Sequence, residues 1–253
     1  MTKYLWDLEQ FAAVCDAVRA KTGKTEQLTM AQLPSEIASI SGGEKTYREV
    51  WLHANQQKTN LTIDTGIAAD MEHTLEVVCY GNIYATTTPF GSYTSNASRQ
   101  ILNLLTSSNK IRFAWGNSGL KEYVYEITEF SMWRPMVVRF SKSGFTINGF
   151  NNAYNAKTLT GTYSAAGGAS TANYKIFGNV SSGADGQPGF FRSAKIFDGS
   201  NNLIHHLVPV MHNDFSLALL DKVAGTEIAL PSGATGFEGF WAPHSDSLVG
   251  ITS

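Results

Sequence analysis

Short runs of alternating or β-branched residues fill the chain from residue 47 onward, and this pattern restricts the fold more than any other feature. The clearest runs are residues 47–54, 60–64, 73–80, 110–115, 122–127, 136–140, 174–180, 191–197, 203–211 and 215–220. Turn-forming pairs such as Asn148-Gly149 and Asp198-Gly199 lie between them. Residues 98–105 (SRQILNLL) fit a helix or a further strand, and their short apolar run favours the strand. Ten or more short strands at this spacing predict an antiparallel β-sandwich.

The first 46 residues differ from the rest in composition and in periodicity. Eleven of them are charged, against 29 of the remaining 207. Their apolar residues recur at spacings of three or four, which predicts two short amphipathic helices. The stripes are Leu8, Phe11, Cys15 and Val18 in the first helix, and Leu33, Ile37 and Ile40 in the second. Thr29 followed by Gln32 predicts a capping box before the second helix.

We therefore expect two parts joined by a linker. Residues 1–41 should form a small helical segment, residues 42–46 (GGEKT) a flexible linker, and residues 47–253 the sandwich. Two short helices cannot bury much apolar surface alone, so their stripes should pack on each other, on a copy of the chain or on a partner, and self-association or docking is the expected outcome. The residues expected at this attachment or oligomer interface are Leu8, Phe11, Val18, Leu33, Ile37 and Ile40.

Charge, hydropathy and cysteine content exclude several classes of protein. A net charge of −2 does not supply the basic surface of a nucleic-acid-binding protein, so no nucleic-acid partner is expected. No run of about 18 apolar residues occurs, so we expect no membrane insertion. The first residues lack the pattern of a secretory signal. Cys15 and Cys79 fall in different parts of the chain, and we expect two free thiols rather than a disulfide.

Two stretches of the sequence carry a resemblance to a known family. Residues 8–40 contain RAKTG at 19–23 and LPSEIASI at 33–40. They resemble a segment found near the start of tail and baseplate proteins of phages and prophages of Gram-positive bacteria. The second stretch comprises residues 174–179 (YKIFGN), 191–199 (FRSAKIFDG), 203–209 (LIHHLVP) and 217–222 (LALLDK). It resembles the concanavalin-A-like, laminin-G-like jelly roll of phage tail proteins. This family pattern is changed at two places in the present sequence, at His205-His206 and at residues 218–221.

The resemblance implies a mainly β protein with an antiparallel jelly-roll β-sandwich of the concanavalin-A-like type behind a small helical attachment segment. It further implies a virion protein, assembled in the cytoplasm of the bacterial host, of the tail-fibre or baseplate receptor-binding type. Such a protein would bind host-surface carbohydrate without catalysis, and its partners would be other virion proteins and itself, as a homotrimer. Two alternatives stay open: a capsid decoration or head-fibre protein with a purely structural role, and a glycoside hydrolase of the same fold.

Candidate catalytic and metal-binding residues are sparse. Glycosidases of this fold usually carry their carboxylates on one strand as E-x-D-x-x-E, a pattern that the sequence lacks. Glu126 and Glu129 are three residues apart and would face opposite sides of a strand, so we expect no enzymatic activity. His205 and His206 would also point to opposite faces and could not chelate one ion. We expect no cofactor, with calcium as an alternative that the resemblance leaves open, although no Asp-x-Asp-x-Asp-Gly loop occurs.

Aromatic residues beside Gly, Ser or Asn are the remaining functional signal. Exposed aromatic rings stack on the C–H faces of sugars, and neighbouring amides bind the hydroxyl groups. The candidate carbohydrate-binding residues are Tyr93, Trp115, Tyr154 and Trp241. The alternative is that Trp115 and Trp241 pack inside the sandwich or against the N-terminal helices.

Overall fold

The structure is a computed structural model, and the chain divides in it into two compact units, Met1–Tyr47 and Arg48–Ser253. The residues that it describes are 8–22, 25–29, 32, 47–54, 62–81, 87–95, 98–105, 108–115, 122–163, 170–178, 189–231 and 237–240. Each unit has a hydrophobic cluster of its own.

The first unit contains helix α1 (Leu8–Thr22), where the apolar spacing predicts one. Cys15, Val18 and Leu28 are buried together, and they form the small cluster of this unit. Thr29 and Gln32 form part of the predicted capping box, because the Thr29 backbone N–H donates to Gln32 Oε1 at 2.9 Å. Outside the described residues lie the side chains of Leu8 and Phe11 and the whole of Leu33, Ile37 and Ile40.

The second unit contains seventeen strands within its described residues. In chain order they are β1 (Tyr47–Glu49), β2 (Trp51–Ala54), β3 (Ile63–Ala68), β4 (Thr74–Tyr80), β5 (Thr87–Ser95), β6 (Ser98–Leu105), β7 (Lys110–Trp115), β8 (Glu122–Glu126), β9 (Met136–Ser141), β10 (Gly144–Phe150), β11 (Ala156–Thr162), β12 (Asn173–Ile176), β13 (Gly189–Phe197), β14 (Leu203–His212), β15 (Leu217–Asp221), β16 (Thr226–Ala229) and β17 (Phe237–Phe240). The segment 98–105 is a strand, as its short apolar run predicts.

The strands form two sheets that face each other across one core. The larger sheet has the order β11-β10-β9-β4-β13-β14-β15-β16, with β1 beside β14, β2 beside β13 and β17 beside β2. The smaller sheet has the order β3-β12-β5-β6-β7-β8. Neighbours such as β4–β9 and β6–β7 are antiparallel. The prediction of an antiparallel jelly-roll β-sandwich behind a short helical segment is confirmed.

Alternation along the strands decides which side chains enter the core. In β4 the residues Leu75, Val77 and Cys79 are fully buried while their neighbours are half-buried. In β9 and β10 the same two-residue period buries every second side chain. The inward residues of both sheets join one cluster, which provides the hydrophobic free energy that holds the layers together.

Both cysteines are free and buried. Cys15 belongs to the first unit and Cys79 to the core of the second, as predicted. Burial raises the pKa of the Cys79 thiol far above its ordinary value, so this side chain acts as a small apolar core residue. No helix within the described residues is long and apolar enough to cross a membrane.

Several strands of the larger sheet run in the same direction, and β4, β10 and β14 are the ones that position the loops described below. β4 is antiparallel to β9, which is antiparallel to β10, so β4 and β10 point the same way. β4 is also antiparallel to β13, which is antiparallel to β14. β4, β10 and β14 therefore finish at one end of the sandwich, and the loops that follow β10 and β14 lie at that end. The segment that leads into β9 also lies at that end, because β9 is antiparallel to β4.

Candidate functional site

The four aromatic residues proposed from the sequence lie in very different places. Tyr154 is 65% exposed in the loop between β10 and β11. Tyr93 is half-buried, and packs on Ile101 and Ala114 on the outer face of the smaller sheet, away from the main core. Trp241 lies outside the described residues. Tyr93 lies near the end where β4 begins, because Gln100 on the neighbouring strand donates to the Asp70 carbonyl at 2.6 Å. Tyr154 lies at the end where β4 finishes, so the four residues do not form one site.

The prediction that Trp115 binds carbohydrate requires a correction, because the Trp115 side chain has no exposed surface. Its indole ring lies in the core and meets Phe140 edge to face, with the ring centroids 5.8 Å apart. Ile111, Phe113 and Trp115 alternate along β7 and face inward together. Trp115 therefore cannot stack on a sugar from this buried position, and the alternative of a packed core residue is the correct one.

A polar cleft lies beside Tyr154, and we call it the hairpin cleft. It has a volume of about 430 Å³. The residues that line it are Thr128, Glu129, Phe130, Asn151, Asn152, Ala153 and Lys157. One wall is the segment between β8 and β9, and the other is the β10–β11 hairpin. The volume lies within the range of small-molecule sites, and most of the lining side chains are polar.

Backbone hydrogen bonds fix the first wall of the hairpin cleft. The Ser131 N–H donates to the Phe150 carbonyl at 2.8 Å, which ties this segment to the end of β10. The Gly81 N–H donates to the Met132 carbonyl at 2.8 Å, which ties it to the end of β4. Phe130 is almost fully buried below the cleft. The wall is therefore anchored to two strands.

The second wall is a tight loop organised by Asn151. Its side-chain Oδ1 accepts the backbone N–H groups of Ala153 at 3.0 Å and Asn155 at 2.9 Å. The Tyr154 N–H donates to the Asn151 carbonyl at 3.0 Å. Tyr154 has a φ of +60°, in the left-handed region where a bulky side chain is disfavoured. The loop therefore holds an exposed aromatic ring in a position that local preference alone would not choose.

Trp133 and Arg134 follow Phe130 in the segment that forms the first wall of the cleft. The Arg134 Cζ lies 3.4 Å from the centre of the Tyr154 ring, and its guanidinium also contacts the Tyr154 hydroxyl. This stacking holds one face of the ring and places a cation beside it. Trp133 precedes Arg134 directly, and its side chain is 60% exposed. The two segments that form the cleft thus carry two exposed aromatic rings, a guanidinium and several amides.

The charges at the hairpin cleft are accessible to solvent. Lys157 Nζ lies 3.8 Å from Glu129 Oε2, and both side chains are substantially exposed. An exposed ion pair of this kind is weak, so both groups remain able to hydrogen-bond a ligand. Glu129 is the only carboxylate among the described residues that line the cleft. Glu126 instead pairs with Lys110 on the smaller sheet at 3.4 Å.

The histidine pair in β14 behaves as its strand position predicts, with the two rings in different environments. His205 Nδ1 lies 2.6 Å from Oδ2 of the buried Asp221. Asp221 also accepts three backbone N–H groups, those of His206, Val223 and Ala224. Burial alone would raise the pKa of Asp221, but these hydrogen bonds outweigh burial and lower it. Burial lowers the pKa of His206. No group of three metal-ligating side chains is found in the part of the chain that the structure describes.

Sequence reasoning missed Trp133, Arg134 and Phe215. Phe215 was expected at the start of a strand, but β15 begins at Leu217 and Phe215 lies in the preceding turn. Its side chain is 79% exposed. The signal was present in the neighbours, because His212-Asn213-Asp214 reads as a polar turn and Pro135 interrupts the run after Trp133.

No known protein family matches the sequence, and no curated protein matches it. Some solved structures are similar to part of the chain. The enzymatically active domain of tailspike protein 2 from bacteriophage CBA120 is 11% identical, with 54% of this chain and 24% of that chain covered and a TM-score of 0.40. Chicken galectin 2 is 13% identical, with 57% and 98% covered and a TM-score of 0.30. A SAP-like pentraxin from Limulus polyphemus is 18% identical, with 60% and 76% covered and a TM-score of 0.37.

These likenesses are too remote to carry an argument about function. The chain spans only about a quarter of the length of the two tailspike chains that it matches.

Proposed function

We propose that the chain is a non-enzymatic virion protein of the phage tail-fibre or baseplate type, whose sandwich binds host-surface carbohydrate at the hairpin cleft. The sequence resemblance of residues 8–40 and of the C-terminal strands supports the virion assignment. The hairpin cleft supports the choice of ligand.

The choice of carbohydrate as the ligand class rests on the combination of two exposed aromatic rings with an open polar cleft. Trp133 and Tyr154 expose 60% and 65% of their surface to solvent. Asn152, Glu129 and Lys157 supply donors and acceptors in the cleft, whose two walls are the segments that carry these rings. Sugars need an apolar platform for their C–H faces and polar groups for their hydroxyls, and this cleft provides both.

Binding without catalysis is the second part of the proposal. A glycosidase of the common type uses two carboxylates, about 5 Å apart in a retaining enzyme and further apart in an inverting one. Glu129 and Glu126 are engaged by different lysines on different elements. The cleft then acts as a weak binding site, and a homotrimer attached to the virion by residues 1–41 multiplies its affinity. No cofactor takes part in this scheme.

The proposal is tested on an array of bacterial-surface polysaccharides with the full-length protein. Wild type should bind at least one glycan, and Tyr154→Ala and Trp133→Ala should each weaken that binding by about ten-fold or more. Leu203→Ala is the matched control, because it removes a side chain that is 40% exposed at the opposite end of the sandwich. Its binding should equal that of wild type.

Three results would contradict the proposal. Absence of binding to every polysaccharide would favour the decoration or head-fibre alternative. Equal binding by wild type and both aromatic variants would show that the carbohydrate-binding site lies elsewhere on the protein. Steady release of reducing ends from a bound glycan, lost in Glu129→Gln, would make the protein a hydrolase.

A further inference from the structure

The turn between β14 and β15 carries a phenylalanine that neither the backbone nor the core requires. The Phe215 N–H donates to the His212 carbonyl at 3.0 Å, and the His212 N–H donates to the Ser216 carbonyl at 2.9 Å. Asp214 Oδ1 accepts the Ser216 N–H at 2.9 Å and the Ser216 hydroxyl at 2.6 Å. The turn is therefore closed by hydrogen bonds that do not involve the phenyl ring.

Phe215 is unfavourable in two respects, its backbone conformation and the exposure of its ring. Its φ of +64° lies in the left-handed region, where Gly or Asn is favoured in hairpins of this kind. Its ring is 79% exposed, more than any other large hydrophobic side chain among the described residues. A residue that is unfavourable both for the backbone and for solvation is typical of a binding contact.

The strand directions place Phe215 at the same end of the sandwich as the hairpin cleft. β10 and β14 run in the same direction, so the loops after Phe150 and after His212 leave the sheet at one end. In the sheet order β10-β9-β4-β13-β14 they are four strand intervals apart. At about 4.8 Å per interval the two hairpins are about 20 Å or more apart along the sheet.

We infer that the ligand of this end is an extended polysaccharide, engaged along its length by the hairpin cleft and by Phe215 together. This inference rests on the proposed function. A disaccharide is too short to reach from one hairpin to the other, whereas a polymer can bind at both. Once the cleft is occupied, binding at Phe215 becomes intramolecular, and affinity rises with the length of the glycan.

The test compares glycans of one repeat at increasing length, from the disaccharide to the intact polymer, prepared by partial hydrolysis of the polysaccharide that wild type binds best on the array. Wild type should bind the polymer at least about ten-fold more tightly than the disaccharide. Phe215→Asn should lose that gain while it keeps the disaccharide affinity. Because Asn suits the left-handed position, its melting temperature should not fall.

Two further variants sharpen the result. Phe215→Tyr keeps an aromatic ring and should keep the length-dependent gain. Val223→Ala, which changes a 49% exposed side chain in the turn at the opposite end, should bind like wild type.

The outcomes separate this inference from the proposed function. Equal affinity for disaccharide and polymer, or a Phe215→Asn protein that keeps the gain, overturns the inference and leaves carbohydrate binding at the cleft intact. If wild type binds no glycan at any length, the proposed function and this inference both fail.

Discussion

Asp221 is a buried carboxylate whose hydrogen bonds make it a local stabiliser of the fold. Replacement by Asn keeps the shape but removes the charge that His205 and three backbone N–H groups contact. We expect Asp221→Asn to lower the free energy of unfolding by about 1–3 kcal/mol at pH 7. Urea unfolding would measure this, with the exposed Asp64→Asn as a control that should change little.

The same carboxylate gives the effect a pH dependence. The folded-state pKa of Asp221 is lowered, so its contribution is fully present above the unfolded-state pKa of about 3.9. It is lost as the pH falls through the folded-state value. The stability difference between wild type and Asp221→Asn should therefore shrink below about pH 4. A difference that stays constant through this range would contradict the assignment.

The β10–β11 hairpin, which forms one wall of the cleft, depends on close backbone contact at Gly144. A Cβ added there would lie 2.5 Å from the Gly161 carbonyl oxygen on β11. Because this oxygen belongs to the backbone, it can move only if the strand pair opens. We expect Gly144→Ala to destabilise the protein by about 1–3 kcal/mol, as measured by thermal unfolding.

Gly199→Ala is the control for this hairpin. The added methyl group would meet Glu72 Cβ at 3.3 Å, a side-chain contact in a turn at the sandwich surface. Its effect should stay within about 0.5 kcal/mol. Equal losses in the two variants would show that backbone proximity at Gly144 is not the cause.

At the scale of the element, most strands are readable from the sequence because alternation marks a half-buried sheet. β5, β10, β11 and β17 were not expected. Pro89 and Gly91 interrupt the pattern of β5, and β11 is an edge strand whose side chains are largely polar and exposed. Edge strands need no apolar face, so their sequences carry a weak signal.

The candidate site could be predicted only in part from the sequence, for a related reason. Tyr154 stands among turn-forming asparagines, and the structure places it in an exposed loop. Trp115 was wrongly placed, although Ile111, Phe113 and Trp115 share the alternation of β7 and therefore one face. The cleft itself forms between segments that are distant in sequence, and strand register alone brings them together.

At the scale of the whole molecule, we expect the sandwich to fold without residues 1–46. The main core cluster is built entirely from residues of the second unit. Deletion of residues 1–46 should therefore leave a folded sandwich with a cooperative thermal transition. If residues 1–41 hold the proposed trimer, light scattering should give a trimer for the full chain and a monomer for the truncated one. A truncated chain that stays trimeric would assign the oligomer contact to the sandwich.

The direction in which the chain enters the sandwich has a mechanical consequence. β2 is antiparallel to β13, so β2 runs toward the end that carries the hairpin cleft and Phe215. It pairs with β13 on one side and β17 on the other. A pull on the residues before Tyr47, against a ligand held at that end, passes through β1, which pairs with β14, before it reaches β2. The hydrogen bonds of β2 to β13 and β17 are then loaded together in shear rather than opened one at a time, and resistance to force depends on the rate at which this paired segment unfolds.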